Sequence, residues 1–78
     1  MANNRERARV EVTFEGGHAI AVLVETDAAE GLRRALEGDR DAVFELEADD
    51  GRYFIPLRNV VYVKRFARDT QIGFGGTT

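Results

Sequence analysis

Hydrophobic and polar residues alternate along several short stretches of the chain, as in β-strands with one buried face. Valines and a phenylalanine alternate with charged residues over residues 7–14, and an apolar run returns over residues 18–24. Gly16-Gly17 separates the two runs, and a two-residue hairpin turn favours glycine because both central positions need positive φ. We therefore predict a first hairpin in which Phe14 faces Ala19.

That register sorts the first hairpin into two faces, because directly opposed residues share a face of the sheet. One predicted face is wholly apolar: Val10, Val12, Phe14, Ala19, Ala21 and Leu23. The opposite face is mixed and carries Ile20, Val22 and Val24 beside Thr13, Glu11 and Arg9.

A second hairpin is predicted around Asp50-Gly51, a strong two-residue turn signal. With that turn Leu46 faces Ile55, and one face collects the larger apolar side chains. These are Phe44, Leu46, Ala48, Tyr53, Ile55 and Leu57, whereas Val43, Glu45, Glu47, Phe54 and Pro56 share the other face.

A short helix is predicted between the hairpins, over residues 28–37. Asp27 is the expected N-cap, Glu30 three residues later completes a capping-box pattern, and Gly38 stands where a left-handed C-terminal residue is common. Its apolar stripe consists of Ala28, Leu32, Ala35 and Leu36.

A further strand is predicted over residues 60–66, after a tight link at Arg58-Asn59. Its alternation is ambiguous, with Val61 and Val63 on one side and Val60, Tyr62 and Phe66 on the other, so either side fits the core. The predicted fold is α+β with two layers, element order ββαβββ, and a mostly antiparallel sheet carrying one short helix on one face. A sheet curled into a small barrel is the alternative.

One short helix covers one face of such a sheet, which leaves an apolar second face uncovered. We therefore predict homo-oligomerisation through that face or by edge-to-edge strand pairing. The predicted interface residues are Ile20, Val22, Val24, Phe54, Val60 and Tyr62.

Composition limits the chemistry. The 78 residues predict a flexible arm at 1–6, a single domain at 7–66 and a Gly-rich tail at 67–78. There is no cysteine, no serine and one histidine, so we expect no disulfide, metal site, cofactor or catalytic residue, and not an enzyme. With no signal peptide and no apolar run near the ~18 residues of a membrane span, we expect a soluble cytoplasmic protein without membrane contact.

Charge is unevenly distributed along the chain. Net charges are +2 for residues 1–9, −9 for residues 10–51 and +4 for residues 52–78. Aromatic residues lie among the C-terminal cations, a mixture typical of surfaces that stack bases and bind phosphates. The predicted nucleic-acid contacts are Arg52, Arg58, Lys64, Arg65 and Arg68, although the pI of about 5.1 argues against a basic footprint.

The ten residues FIPLRNVVYV at 54–63 resemble the closing motif of Sm-like RNA-binding proteins, in which a strand, a tight Arg-Asn turn and another strand follow one another. The usual Arg-Gly pair is absent, and the predicted helix between the hairpins has no counterpart in that fold. The resemblance therefore assigns no functional residue.

Two functions follow as hypotheses. The first is a non-enzymatic, self-associating cytoplasmic module that binds another macromolecule, with a protein as the favoured partner, such as a regulator, assembly subunit or inhibitor. The alternative is an oligomeric nucleic-acid-binding protein that uses the C-terminal basic and aromatic surface.

Overall fold

A computed structural model of the chain describes residues 6–67. The described elements are β1 (Arg7–Phe14), β2 (Ala19–Glu25), α1 (Thr26–Leu36), β3 (Val43–Ala48), β4 (Gly51–Pro56), a 3-10 turn (Leu57–Asn59) and β5 (Val60–Arg65). All strand pairs are antiparallel, in the order β4-β3-β2-β1-β5. The predicted α+β class is confirmed. The sheet is open, so the closed small barrel is wrong.

The helix packs on one face of this sheet, called the inner face here; the opposite face is the outer face. Side chains from all five strands and the helix meet on the inner face in a single apolar core. Its buried members are Ala8, Val10, Val12, Val22, Val24, Ala29, Leu32, Leu46, Ile55, Leu57 and Val60.

The first hairpin has a longer turn than the Gly16-Gly17 pair predicts. The Phe14 N–H donates to the His18 carbonyl at 2.7 Å, so three residues form the loop, and Val12 pairs with Ile20. A register shift of one residue turns every side chain of a strand to the other face. The predicted faces of β2 are therefore wrong, and Leu23 is 43% exposed.

The same correction applies to three predicted second-face residues, Ile20, Val22 and Val24. Val22 and Val24 are 6% and 1% exposed on the inner face, and Ile20 packs against the same core.

The second hairpin keeps its predicted faces although its register is wrong. Asp49 and Asp50 form the turn, flanked by the pair Ala48 and Gly51, and Leu46 pairs with Tyr53 rather than Ile55. The observed pairing differs from the predicted one by two residues, and a shift of two residues leaves every side chain on its predicted face. Leu46 and Ile55 are thus buried as predicted.

A β-bulge in β5 explains why its alternation is ambiguous. Thr13 pairs with Tyr62, but the next residue, Phe14, pairs with Val60, so Val61 is the extra residue. Val60 and Val63 therefore both face the core, three positions apart. The placement of Val60 on an uncovered second face is wrong, because this residue is 5% exposed.

The helix begins at Thr26, two residues before the predicted start. Glu25 is the N-cap residue without a side-chain hydrogen bond, and Asp27 lies in the first turn, so the predicted capping box is wrong. Gly38 lacks the predicted left-handed backbone, which only Gly16, Gly17 and Gly51 adopt among the described glycines.

Arg40 holds the connection between β4 and β5. Its Nε and Nη2 donate to the Leu57 carbonyl at 3.2 and 3.1 Å, and Nη2 also donates to the Val60 carbonyl at 2.9 Å. The clamp fixes the 3-10 turn through which the chain passes from one edge strand to the other.

Candidate interaction surfaces

Two strands, β4 and β5, form the edges of the described sheet. The Leu57 N–H donates to the Ala42 carbonyl, which marks a hydrogen-bonded pair just beyond the β3–β4 ladder. Bonded and non-bonded pairs alternate in antiparallel strands, so Arg52 and Phe54 direct their backbone N–H and C=O groups away from β3. These groups form an unpaired polar edge.

Apolar side chains lie directly beside the β4 edge. Phe54 is 66% exposed and Val43 is 60% exposed, both on the outer face. Val43 pairs with Pro56 in the ladder, and Phe54 is one rung further along the same face. We call Val43, Phe54 and Pro56 the β4 patch.

The positive charge beside the β4 patch is paired with carboxylates of the same hairpin. Arg52 is the one charged residue of β4, and its guanidinium lies 2.8 Å from Glu45 and 3.9 Å from Glu47. Exposed ion pairs add little stability. Their effect here is that β4 presents an apolar side chain and open backbone groups without a net positive charge.

The β5 edge differs in its charge. The Phe66 N–H donates to the Arg9 carbonyl, so by the same alternation Val63 and Arg65 direct their backbone groups away from β1. On the outer face the Arg9 guanidinium and the Lys64 ammonium lie 5.3 and 4.6 Å from the centre of the Phe66 ring. We call Arg9, Lys64 and Phe66 the β5 basic cluster.

The predicted nucleic-acid contacts do not converge on one surface. Arg58 lies 3.4 Å from Asp41, and Arg65 lies 3.1 Å from Glu30 on the helix. Arg52 belongs to the opposite edge, and Arg68 lies outside the described residues. Only Lys64 of the predicted set belongs to the β5 basic cluster.

Arg9 is the member of that cluster that sequence reasoning missed. It lies on β1, far along the chain from Lys64 and Phe66, and joins them only because β1 pairs with β5. Across the described residues, neither Arg9 nor Lys64 has a carboxylate oxygen within ion-pair distance, so both cations remain open to a ligand.

The predicted interface residues divide into two groups. Ile20, Val22, Val24 and Val60 belong to the core, whereas Phe54 and Tyr62 are exposed, at 66% and 54%. Phe54 and Tyr62 lie on opposite edge strands. The oligomer itself stays a prediction.

A groove of about 290 Å³ lies between α1 and the inner side of β5. Its apolar lining comes from Val10, Ala29, Leu36 and Val63. Its rim consists of Arg33, Glu37, Glu30 and Arg65, connected by ion pairs of 2.7 to 3.1 Å. The Arg33 hydrogen bond and charge, together with Arg65, lower the pKa of Glu30 below its ordinary value, so the rim is charged yet balanced.

Histidine and acidic side chains are the groups that acid–base catalysis or metal binding would use. His18 is exposed at the end of the first hairpin loop. Between residues 6 and 67 there is no group of three or more His, Asp or Glu side chains placed to hold a metal ion. None of the helices described is long and apolar enough to cross a membrane.

No protein-family model, curated protein or solved structure matches the chain.

Proposed function

We propose that the chain is a small, non-enzymatic cytoplasmic module that self-associates through β4 and acts by binding another macromolecule, with a protein as its main partner. The observation that carries the proposal is Phe54, an aromatic side chain that is 66% exposed beside an unpaired strand edge. Exposed apolar side chains along an open edge are typical of sites where another strand adds.

The geometry fits two copies related by a two-fold axis. When β4 pairs antiparallel with β4 of a second copy, centred on Phe54, the two Phe54 residues exchange backbone hydrogen bonds. Each Arg52 N–H then reaches the Pro56 carbonyl of the other copy, giving about four backbone hydrogen bonds in all. Pro56 has no N–H to donate, which suits its position at the end of an edge strand.

Self-complementary pairing of this kind closes after two subunits. It also places the two β4 patches side by side on one continuous outer face, where they cover each other's apolar area. A chain of this size without disulfides gains stability from such burial.

The β5 edge is the weaker candidate for this contact. It carries Lys64 and Arg65 and contains the bulge at Val61, all features that oppose strand addition by a second copy. Two β5 strands brought together would bring like charges close to each other.

Size-exclusion chromatography with light scattering tests the proposal on the full chain over a range of concentrations. We expect a dimer that dissociates on dilution, and a monomer for Phe54→Lys. Tyr62→Lys is the matched control, because Tyr62 is an exposed outer-face aromatic on the other edge strand. It should leave the dimer intact.

The outcomes separate the alternatives. A wild-type chain that stays monomeric at high concentration removes self-association. Dissociation by Tyr62→Lys but not by Phe54→Lys assigns the contact to β5 instead of β4. Circular dichroism of both variants shows whether the fold is retained.

Binding of a further protein is proposed for the exposed acidic part of the same hairpin. The Glu45 and Glu47 side chains are 51% and 77% exposed, and the Arg52 guanidinium satisfies them only in part. A basic partner surface would complement them. Affinity capture from the native host, repeated with Glu45→Gln/Glu47→Gln, should lose the partner selectively if this surface is used.

Nucleic-acid binding is the second candidate function, and the β5 basic cluster favours it. An aromatic ring beside two cations offers stacking and phosphate contacts together, and Tyr62 lies two residues from Lys64 on the same face. A labelled single-stranded oligonucleotide should then bind with an affinity that falls steeply with salt, and Arg9→Ala/Lys64→Ala should weaken it. Absence of binding at low salt removes this candidate.

A further inference from the structure

We propose that an extended segment of a partner protein, in which acidic and aliphatic residues alternate, adds to the β5 edge at Val63 and Arg65. Its aliphatic side chains enter the groove between α1 and β5, and its acidic side chains lie beside Lys64. The inference rests on the proposed function in taking a protein as the partner. It uses a surface other than that of Glu45 and Glu47, and it does not require self-association.

The β5 edge offers backbone hydrogen bonds at two alternate residues. Val63 and Arg65 occupy positions of the β1–β5 ladder at which no hydrogen bonds are exchanged, so their N–H and C=O groups point away from β1. An antiparallel strand that pairs with both residues exchanges about four hydrogen bonds with them. The bulge at Val61 lies before this segment and does not interrupt the pairing. The edge therefore accepts a short added strand.

The groove selects apolar side chains on one face of that strand. Val63 and Arg65 line the groove as well as forming the edge, and Ala29 and Leu36 form the wall on α1. Directly opposed residues share a face of a sheet, so partner residues that pair with Val63 and Arg65 direct their side chains to the groove side. The groove volume of about 290 Å³ is near the lower limit of ligand pockets, and it therefore suits single side chains.

The rim of the groove carries charges that are already paired. Arg33 lies 3.1 Å from Glu30 and 2.7 Å from Glu37, and Arg65 lies 3.1 Å from Glu30. Two cations thus balance two carboxylates, so the rim offers no strong attraction to a charged occupant. Aliphatic side chains are the complementary occupants, because they remove the apolar lining of the groove from water.

The outer face of the same edge selects acidic side chains. Lys64 lies between Val63 and Arg65, so a partner residue opposite Lys64 directs its side chain to the outer face. Glu11 faces Lys64 across the β1–β5 ladder, on the side away from the open edge. Lys64 is therefore the charge nearest to an added strand on that face. A carboxylate opposite Lys64 complements it.

The β5 basic cluster extends this positive surface. The Lys64 ammonium and the Arg9 guanidinium lie 4.6 and 5.3 Å from the centre of the Phe66 ring. Among residues 6–67 neither cation has a carboxylate oxygen within ion-pair distance. These charges oppose a second β5 strand, but they favour an acidic one. The two edges of the sheet thus differ in the strand that each accepts.

Three features together favour an acidic peptide over a nucleic acid. A nucleic acid would use the cations and the Phe66 ring, but not the apolar groove or the open backbone groups of Val63 and Arg65. A strand with an aliphatic, an acidic and an aliphatic residue in succession uses all three features. The occupant is therefore inferred to be a segment of protein.

Nuclear magnetic resonance titration of the isotope-labelled full chain tests the proposal with a blocked peptide of sequence GSEIEVESG. We expect shift changes at the Val63 and Arg65 amides, and slower hydrogen exchange at both amides when the peptide is bound. The matched control peptide GSEEIVESG has the same composition without the alternation. It should bind about tenfold more weakly, because one of its two aliphatic side chains faces away from the groove.

Charge reversal tests the outer face. Lys64→Glu should weaken binding of GSEIEVESG about tenfold and should favour the lysine peptide GSKIKVKSG instead. Arg34→Glu is the matched control, because Arg34 is an exposed arginine of α1 that does not line the groove. It should leave both affinities unchanged. Circular dichroism shows whether each variant is folded.

Four results would overturn the proposal. Equal affinity for the two acidic peptides would indicate charge attraction without strand addition. Val63 and Arg65 amides that are already protected in the free chain, independently of concentration, would assign the edge to the chain itself. Protection that disappears on dilution would assign it to a second copy.

The fourth result concerns nucleic acid. A single-stranded oligonucleotide that shifts the Lys64 and Phe66 signals, while the peptide leaves Val63 and Arg65 unchanged, would assign the edge to a nucleic acid. None of these results changes the expected outcome of the light-scattering experiment or of affinity capture with Glu45→Gln/Glu47→Gln. Failure of this inference is therefore distinguishable from failure of the proposed function.

Discussion

Replacing Arg40 with alanine tests how the β4–β5 connection is held. The guanidinium donates to the Leu57 and Val60 carbonyls at 2.9 to 3.2 Å, and the residues Leu57 and Val60 are 1% and 5% exposed. Hydrogen bonds to a charged group contribute about 1.5–3 kcal/mol each when buried. The Arg40 residue itself is exposed, so water replaces part of the interaction.

We therefore expect Arg40→Ala to lower the free energy of unfolding by about 2 kcal/mol, which is below the roughly 3–6 kcal/mol of two fully buried bonds because water replaces part of the interaction. For a domain of this size that corresponds to a fall in Tm of about 10 °C. Arg40→Lys should lie between the variant and the wild type, because a single ammonium does not reproduce the planar fork that reaches both carbonyls.

Urea unfolding followed by circular dichroism at one fixed protein concentration measures the change, since self-association makes stability depend on concentration. Arg34→Ala is the matched control, because Arg34 is an exposed arginine in the last turn of the helix. Its effect should remain within about 0.5 kcal/mol. Equal effects of Arg40→Ala and Arg34→Ala on the free energy of unfolding would contradict the inference that the Arg40 hydrogen bonds stabilise the β4–β5 connection.

Two further predictions concern register and pH. Val24→Ala should lower the free energy of unfolding by about 2 kcal/mol and Leu23→Ala by less than about 1 kcal/mol, because Val24 is 1% and Leu23 is 43% exposed. Urea unfolding measures both changes. The reverse order would favour the two-residue Gly16-Gly17 turn instead of the three-residue loop. The Tyr53 hydroxyl donates to the Asp50 carboxylate at 2.7 Å, and this hydrogen bond raises the pKa of Tyr53. The bond therefore stabilises the folded state below about pH 10, and this contribution is lost as the pH rises through the folded-state pKa of Tyr53. Ultraviolet titration of the Tyr62→Phe variant should show the raised pKa of Tyr53, and adding Asp50→Asn should lower that pKa. The same Tyr53 pKa in both variants would contradict the hydrogen bond.

The fold class follows from the sequence because alternation and helical spacing are local signals. Register is less secure, since it depends on how many residues a turn uses. In the second hairpin the error is two residues and leaves the faces intact, whereas in the first it is one residue and reverses β2. The length of the first hairpin turn thus decides whether Val22 is predicted to lie in the core.

The remaining differences come from contacts between distant parts of the chain. The bulge at Val61 forms only because β5 pairs with β1, and it breaks the period-two pattern that sequence reasoning relies on. Gly31 is a second case: glycine weakens the helix by propensity, and the Phe44 ring of β3 lies at an ordinary contact distance, 3.4 Å from where a Cβ would be. The residues next to Val61 and Gly31 in the sequence indicate neither the pairing of β5 with β1 nor the contact with Phe44.

The candidate surfaces were partly predictable. Exposure of Phe54 follows from its alternation with Tyr53 and Ile55, and the structure places all three as expected. The cluster of Arg9 with Lys64 depends on non-local strand pairing and was missed. The ion pairs of Arg58 and Arg65 were missed for the same reason.

The exchange rate of the Phe54 amide hydrogen, followed as a function of protein concentration, tests the proposed β4 contact most directly. In an isolated chain this N–H points to solvent, whereas in the proposed dimer it donates to the second copy. We predict rapid exchange under dilute conditions and increasing protection as the dimer forms, with the Ile55 amide, which lies on the β3 side, unaffected by concentration. A Phe54 amide that exchanges rapidly while light scattering shows a dimer would contradict the account.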